Sequence, residues 1–414
     1  MRVFDESPRA SQRASRNREP HFNYLNESGR PVAEEARRLV EAWFMRYPDT
    51  HKKSLLTRLR SPDDQHFLAA FFELYVHELL LRLRYDPVIP GNAEVSETGA
   101  PEFEVGSPLG RFVLEAAHAT DASQLEAAAE SRLNDALDAI NEVRSDHYML
   151  HVEHDGAPRT PVSRRAVRKW VEDFLASLSP EGIRALATTD LESLPKSRFE
   201  HDGLVMVISP IPTRAGFQMG TEDRITGVVG PMEAYSIQPR ESLRKALRSK
   251  AGKYGSIEVP FVIAANTMAD HFGRIDAMEA LFGKEGYHLG TWDKRLDEPV
   301  MVRARDGLWY GPKGPTATRV SAVLITRALT PWTVAVVKPV VYHNPWAARP
   351  ILGLFGSLTT NVPDGTKMVE SPGLVGSEIF ELPTGWPAHS EASTSQAPEA
   401  AGQQTPNSSR TTSQ

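Results

Sequence analysis

Apolar residues recur at helical spacing in two segments of the N-terminal part of the chain. From Val32 to Tyr47 they form one stripe, whereas from Phe67 to Leu83 they occur on most sides of the segment. A period near 3.6 residues predicts an amphipathic helix in the first case and a mostly buried helix in the second. Ser61 and Pro62 are a start signal for the second helix, because serine can cap and proline suits a first turn.

Short apolar runs bounded by glycine, proline and polar residues follow the second helix and predict strands. These runs cover residues 87–90, 103–105 and 111–117. The same reasoning predicts further helices at 124–143, 164–178 and 240–254, and further strand-like or β-branched runs at 148–153, 204–209, 260–265, 320–325 and 333–342. Helices and strands therefore alternate, which indicates an α/β fold.

Composition divides the chain into a folded middle and two polar ends. Residues 1–30 are polar and contain several arginines, which indicates a flexible N-terminal arm. Residues 387–414 are rich in Ala, Ser, Thr, Gln and Pro, a composition that predicts a disordered tail. Between them we expect an α/β core at 31–283, followed by a C-terminal extension at 284–386 where turns, aromatics and β-branched runs become frequent.

The bulk numbers exclude several function classes. The 414 residues contain no cysteine, so disulfides, thiol nucleophiles and thiolate zinc sites are excluded. No apolar run is long enough for a membrane span, and no signal core follows Met1, so a cytoplasmic protein without membrane partners is expected. A net charge of -6 leaves only a local basic groove for nucleic acid. Phosphate-loop and serine-hydrolase motifs are also missing from the sequence.

Acidic residues stand at positions where the surrounding pattern is apolar or strand-like. Glu73 lies inside the apolar helix, where an unpaired carboxylate would be costly, so a cation or a basic partner is expected. Glu102 and Glu104 follow Pro101 and project to the same face of a strand. Glu115 ends the apolar strand, and it either belongs to a site or marks where the strand leaves the core.

In order and spacing, residues 67–117 resemble the PD-(D/E)XK nuclease superfamily. The resemblance rests on a helix with an inward acid, a strand with a Pro-acid step, and an adjoining strand that ends in an acid, here Leu114-Glu115-Ala116-Ala117. It implies a restriction-endonuclease-like mixed sheet flanked by helices. It also implies hydrolysis of DNA with Mg²⁺ or Mn²⁺, in which Glu115 and Glu102 or Glu104 hold the metal and Glu73 assists.

Two positions depart from the family pattern. Glutamate stands at 102 where aspartate is usual, and Ala117 replaces the lysine of the final motif. A basic helix at 244–253 offers substitutes, because the chain has few lysines and Lys250 and Lys253 are both in this helix. Solvation of that helix face is the alternative interpretation of the two lysines.

The position of this helix depends on how the core is completed. If the strand at 260–265 completes it, residues 120–235 are an insertion; if the strand at 148–153 does, the basic helix lies outside the core. The leading hypothesis is a metal-dependent nuclease-like protein acting on DNA. The rival is a catalytically inactive protein of the same fold that binds nucleic acid or a protein partner, and the oligomeric state stays open.

Overall fold

The structure is a computed structural model of the chain. It describes residues 1–90, 101–119, 124–189, 193–214, 216–220, 223–231, 239–254, 257–269, 272–288, 300–351, 353–364 and 367–387. Within these residues the chain is a mixed α/β protein with a large mixed sheet flanked by helices, so the predicted fold class is confirmed at that level.

The helices are α1 (His21–Glu27), α2 (Pro31–Arg46), α3 (Asp49–Leu59), α4 (Asp64–Arg82), α5 (Gln124–Asn141), α6 (Arg164–Ala176), α7 (Pro180–Thr189), α8 (Pro239–Ala251), α9 (Arg274–Phe282) and α10 (Gly376–Ile379). The strands are β1 (Asp86–Val88), β2 (Phe103–Ser107), β3 (Gly110–Ala119), β4 (Tyr148–Asp155), β5 (Ser197–His201), β6 (Leu204–Pro212), β7 (Thr226–Pro231), β8 (Phe261–Thr267), β9 (Glu285–His288), β10 (Val300–Arg303), β11 (Tyr310–Gly311), β12 (Gly314–Pro315), β13 (Val320–Arg327), β14 (Val340–His343), β15 (Thr359–Asp364) and β16 (Lys367–Ser371).

The large sheet has the strand order β1-β2-β3-β8-β13-β14-β15-β16. The hairpin β2–β3 is antiparallel and pairs Phe103 with Leu114, whereas β3 runs parallel to β8 and pairs Glu115 with Ile263. Strand β8 is buried along its whole length, as expected for a parallel strand covered on both faces. The parallel centre of the sheet therefore lies at β3, β8 and β13.

Two apolar cores cover the two faces of this sheet. On one face α4 packs through residues such as Phe67 and Phe71, together with Phe112 and Leu114 of β3. On the other face α8 and α9 pack over Ala117 and Ile263. Successive residues of β3 point to opposite faces, so the alternation that places Leu114 in the first core directs Glu115 towards α8.

The segment between β3 and α8 forms a separate four-stranded sheet in the order β5-β6-β4-β7, with its own apolar core against α5 and α6. Strand β4 therefore does not pair with β3. Of the two arrangements that the sequence left open, the structure has β8 beside β3, with residues 124–231 outside the large sheet.

The N-terminal residues differ from the flexible arm that the sequence predicts. Val3 and Phe4 are buried, and Arg60 donates a hydrogen bond to the carbonyl of Val3 at 2.8 Å. Two apolar side chains among polar neighbours give no periodic signal, which is why the sequence does not reveal this packing. The start of α4 also differs, because Asp63 rather than Ser61 accepts the capping hydrogen bond, from the backbone of Gln65.

Beyond residue 284 the chain adds strands to the same sheet. Strands β13 to β16 extend it by four members, so this extension is continuous with the core. The β-branched run at 333–342 forms a strand only from Val340, because the chain turns repeatedly at 331–336. The tail predicted at 387–414 lies outside the described residues from 388 onwards. In the described part of the chain, no helix is long and apolar enough to cross a bilayer.

Candidate active site

Glu102, the residue directly before β2, and Glu115 of β3 face each other at the open end of the β2–β3 hairpin. The backbone N–H of Glu102 donates to Glu115 Oε1 at 3.2 Å, and the backbone N–H of Ala116 donates to Glu102 Oε2 at 2.6 Å. Glu115 is completely buried, whereas Glu102 keeps about a third of its side chain exposed. One carboxylate of the pair therefore lies inside the protein, and the other lies beside it with part of its side chain exposed.

Helix α8 and the residues after it bring two lysines to these carboxylates. Lys250 Nζ lies 2.9 Å from Glu102 Oε1 and 3.0 Å from Glu115 Oε2, so it bridges the pair. Lys253 Nζ lies 3.0 Å from Glu115 Oε1 and 3.2 Å from Oε2. The structure therefore brings together four of the residues that the sequence singled out. We call Glu102, Glu115, Lys250 and Lys253 the Glu–Lys cluster.

The alanine at position 117 explains how α8 reaches this position. Ala117 is buried on the same face of β3 as Glu115 and packs in the core that contains Leu243 and Leu247 of α8. A methyl side chain lets helix and strand approach closely, and α8 then ends beside Glu115. The cations that face Glu115 are supplied by α8 and the turn that follows it, rather than by position 117.

A lysine introduced at position 117 should therefore destabilise the protein. In Ala117→Lys a long charged side chain would enter a packed apolar core, next to two ammonium groups that already occupy the partners. We expect a loss of about 3 kcal/mol in the free energy of unfolding, measured by urea denaturation. A variant as stable as the wild type would mean that α8 does not pack against Ala117 as described.

The charges in the Glu–Lys cluster act on one another. Burial alone would raise the pKa of Glu115, but the hydrogen bond from Tyr254 and the charge of Lys250 outweigh it and hold that pKa below its ordinary value. For Glu102, burial dominates over the opposing charge of Lys250 and raises the pKa. Burial would lower the pKa of Lys250, but Glu102 and Glu115 raise it overall, so Lys250 remains an ammonium at neutral pH. The formal charges of the two carboxylates and the two ammonium groups in the cluster therefore cancel.

Tyr254 is a member of this arrangement that the sequence analysis missed. Its hydroxyl donates a hydrogen bond to Glu115 Oε1, and burial followed by the charge of Glu115 raises the pKa of Tyr254 above its ordinary value. Its position directly after Lys253 is the only signal that could have identified it. A tyrosine at a helix end is too common to attract attention without the contact.

Glu73 lies next to the Glu–Lys cluster in a pair of its own. Its carboxylate accepts a hydrogen bond from the hydroxyl of Tyr47, and Arg58 Nη1 lies 2.6 Å from its Oε2. Burial and the charge of Glu73 raise the pKa of Tyr47, and the charge of Glu102 adds to this. Tyr47 is therefore within electrostatic range of the Glu–Lys cluster. The basic partner expected for Glu73 is therefore Arg58, and Glu73 makes no hydrogen bond to the cluster.

The structure places Glu104, a candidate metal ligand, and the nearby His118 outside the Glu–Lys cluster. Glu104 Oε2 pairs with Arg111 at 2.9 Å on the exposed side of the hairpin, so Glu102 rather than Glu104 faces Glu115. His118 follows Ala117 on β3, and burial lowers its pKa to about 4, so its ring is neutral at neutral pH. Among the described residues, neither ring nitrogen of His118 has a hydrogen-bond partner.

The carboxylates of Glu102 and Glu115 supply part of the ligand set that a hard divalent cation requires. Carboxylate oxygens are preferred ligands of Mg²⁺ and Mn²⁺, and Mg²⁺ commonly uses one or two carboxylates plus waters. Lys250 shows that the space between Glu102 and Glu115 accepts a positive charge. However, the described residues contain no group of three or more acidic or histidine side chains able to hold a metal ion. A metal here would take two protein carboxylates and draw its other ligands from water and substrate.

Comparisons with known proteins add no relative to this picture. No protein-family model, no curated protein and no solved structure matches the chain.

Proposed function

We propose that the chain is a divalent-metal-dependent, nuclease-like protein that hydrolyses phosphodiester bonds of DNA. The observation that carries the proposal is the convergence of Glu102, directly before β2, and Glu115 of β3 with Lys250 of α8 and Lys253 of the turn that follows. Paired carboxylates beside fixed ammonium groups are what metal-assisted phosphoryl chemistry requires, because the substrate and its transition state are both anionic.

The order of elements also supports the PD-(D/E)XK resemblance. Helix α4 precedes the hairpin β2–β3 that carries both acids, and α8 borders Glu115 before the chain enters β8, parallel to β3. This is where the resemblance allows a displaced lysine to lie. We propose on these grounds a restriction-endonuclease-like arrangement around β1, β2, β3 and β8.

The carboxylates of Glu102 and Glu115 would hold the metal, with Mg²⁺ or Mn²⁺ as the ion. A bound divalent ion polarises the scissile phosphate and lowers the pKa of the attacking water. Lys250 now bridges both carboxylates, so it would leave that position and its ammonium would lie beside the phosphate, where it offsets the charge that develops on the phosphoryl oxygens. Lys253 and Tyr254 would keep Glu115 ionised and fixed in place.

The rival function is DNA or protein binding by an inactive copy of this fold. The balance of two carboxylates and two lysines favours it, because Glu115 already has cationic partners and needs no metal for charge compensation. In that case the Glu–Lys cluster would join β2, β3 and α8 as a structural ion-pair network.

Cleavage of plasmid and single-stranded DNA tests the proposal. The wild type should cut with Mg²⁺ or Mn²⁺ and not with EDTA; Glu102→Gln should lose this activity, whereas the matched variant Glu104→Gln should keep it. Intact DNA with every metal, together with retention of DNA in a gel-shift assay, would instead support the inactive binding protein. Failure of both cleavage and DNA retention would reject the nuclease proposal and the DNA-binding form of the rival, and would leave protein binding.

A further inference from the structure

A cleft lies on the face of the large sheet that α8 and α9 cover, away from the Glu–Lys cluster. Its volume is about 570 Å³, and it lies between the start of α9 and strands β13, β14 and β16. Glu115, Ile263, Val323 and Tyr342 are paired in register across the sheet. Tyr342 is therefore three strand spacings from Glu115, or about 14 Å along the sheet.

The charged residues that line this cleft are mostly basic. The cleft is lined by three cations, Arg274, Arg327 and Lys338, and by one carboxylate, Glu370. The lining therefore carries an excess of two positive charges. Glu370 lies 3.5 Å from Arg274 and 3.8 Å from Lys338, so it makes loose ion pairs with both. In the described part of the chain, Arg327 has no acidic partner within ion-pair distance. The cleft therefore matches a ligand that carries about two negative charges.

A tyrosine hydroxyl with unused hydrogen-bonding capacity lines the cleft, and a buried asparagine lies beside it in the sheet. Tyr342 is 97% buried, since only 3% of it is exposed, yet its hydroxyl makes no hydrogen bond to any described residue. Burial raises the pKa of Tyr342 to about 12, so the hydroxyl is a donor at neutral pH. Asn361 pairs with Tyr342 and Glu370 in register and is fully buried, and its amide nitrogen and oxygen also lack partners among the described residues.

The remaining walls are apolar. Phe272, Ile325, Val337 and Val340 line the cleft, and Val336 is 75% exposed at its edge. The Tyr342 hydroxyl is open to the cleft and is free to bind a ligand there, and small-molecule sites combine apolar walls with a few polar groups that converge on one point. An inorganic ion would use the cations but leave the apolar walls in water.

We propose that this cleft binds a small organic phosphate monoester, with the phosphate between Arg274, Lys338 and the hydroxyl of Tyr342 and the apolar body against Phe272 and Val336. The dianionic phosphate balances the two excess charges. Gly273 and Arg274 at the start of α9 also line the cleft. This site does not depend on the proposed nuclease function.

Calorimetric titration with phenyl phosphate tests the proposal. We expect binding to the wild type with a dissociation constant below roughly 1 mM, at least about tenfold tighter than inorganic phosphate, and no binding of the neutral analogue benzyl alcohol. Tyr342→Phe and Lys338→Met should each weaken binding about tenfold, because each removes one charge-assisted contact while the ring or the aliphatic stem is kept.

Lys367→Ala is the matched control, because Lys367 is on β16 but alternates to the face opposite Glu370. It should bind phenyl phosphate as the wild type does. Circular dichroism establishes that each variant is folded. The proposal is overturned if the wild type does not bind phenyl phosphate, or if all three variants weaken binding equally, which would indicate an adsorbed anion without a defined site.

Discussion

Glu115→Gln is expected to lower metal-dependent DNA cleavage by a factor of about 10² to 10³. Glutamine keeps the shape of the side chain but removes the charge that would hold the metal at this position of β3, a strand that continues to Ala119. The measurement is the initial rate of plasmid nicking with Mg²⁺ and with Mn²⁺. Because Glu115 is completely buried among two lysines and Tyr254, the same substitution also affects stability.

Stability and chemistry can be separated for this variant. Glu115 is buried but Lys250 and Lys253 are partly exposed, so removing the carboxylate charge costs about 1 to 3 kcal/mol, and Glu115→Gln should unfold at lower urea concentration. Glu104→Gln is the control, since Glu104 and Arg111 form an exposed pair worth about 1 kcal/mol or less. Cleavage rates must be compared without urea, at a temperature where both variants are folded. Equal cleavage by Glu115→Gln and the wild type would remove Glu115 from the site.

Lys250→Met is expected to change two measured quantities in opposite directions. Cleavage should fall by about 10² to 10³, because the ammonium proposed to act on the phosphate is gone. Binding of Mn²⁺ should become about tenfold tighter, because the cation that bridges Glu102 and Glu115 no longer competes for their oxygens. The measurements are plasmid nicking and electron paramagnetic resonance of free Mn²⁺ during titration.

The opposite changes distinguish a metal site from a structural ion-pair network. In a purely structural network, Lys250→Met would destabilise the protein without creating affinity for Mn²⁺. Lys245→Met is a suitable control, because Lys245 is in the same helix but makes no ion pair with the Glu–Lys cluster. It should leave Mn²⁺ affinity unchanged. Weaker Mn²⁺ binding by Lys250→Met would contradict the role assigned to this lysine.

The candidate site was accessible from the sequence through local anomalies. Glu115 attracts attention because a charge ends an apolar strand, and Glu102 because it follows a proline just before a strand. Lys250 and Lys253 stand out because lysine is rare in this chain relative to arginine. Each signal depends on a short stretch of residues, which periodicity and composition can describe.

The features that the sequence did not reveal depend on contacts between distant residues. Strand β3 pairs with β8, so that Glu115 lies beside Ile263, although the whole four-stranded sheet separates them in the sequence. This was one of two arrangements that the sequence left open, because no local pattern encodes such a pairing. The partner of Glu73 could be expected to be basic, but its identity as Arg58 follows from how α3 packs against α4. Likewise, the burial of Val3 depends on helices that come later in the chain.

Ala117 shows how a departure from a motif can follow from packing. Judged by the motif alone, the missing lysine argues against catalysis. In the structure, the same alanine lets α8 lie against β3, and the helix then brings Lys250 to both carboxylates. The alanine at position 117 and the lysine at position 250 are therefore parts of one arrangement, and the two should be mutated together when activity is tested.

Anomalous diffraction from crystals soaked in Mn²⁺ tests the central proposal most directly. We predict one manganese peak within roughly 2.0 to 2.6 Å of an oxygen of Glu102 and an oxygen of Glu115, with Lys250 moved from its bridging position. Crystals that bind no manganese there, with Lys250 still bonded to both glutamates, would contradict the proposal and leave the Glu–Lys cluster as a structural ion-pair network.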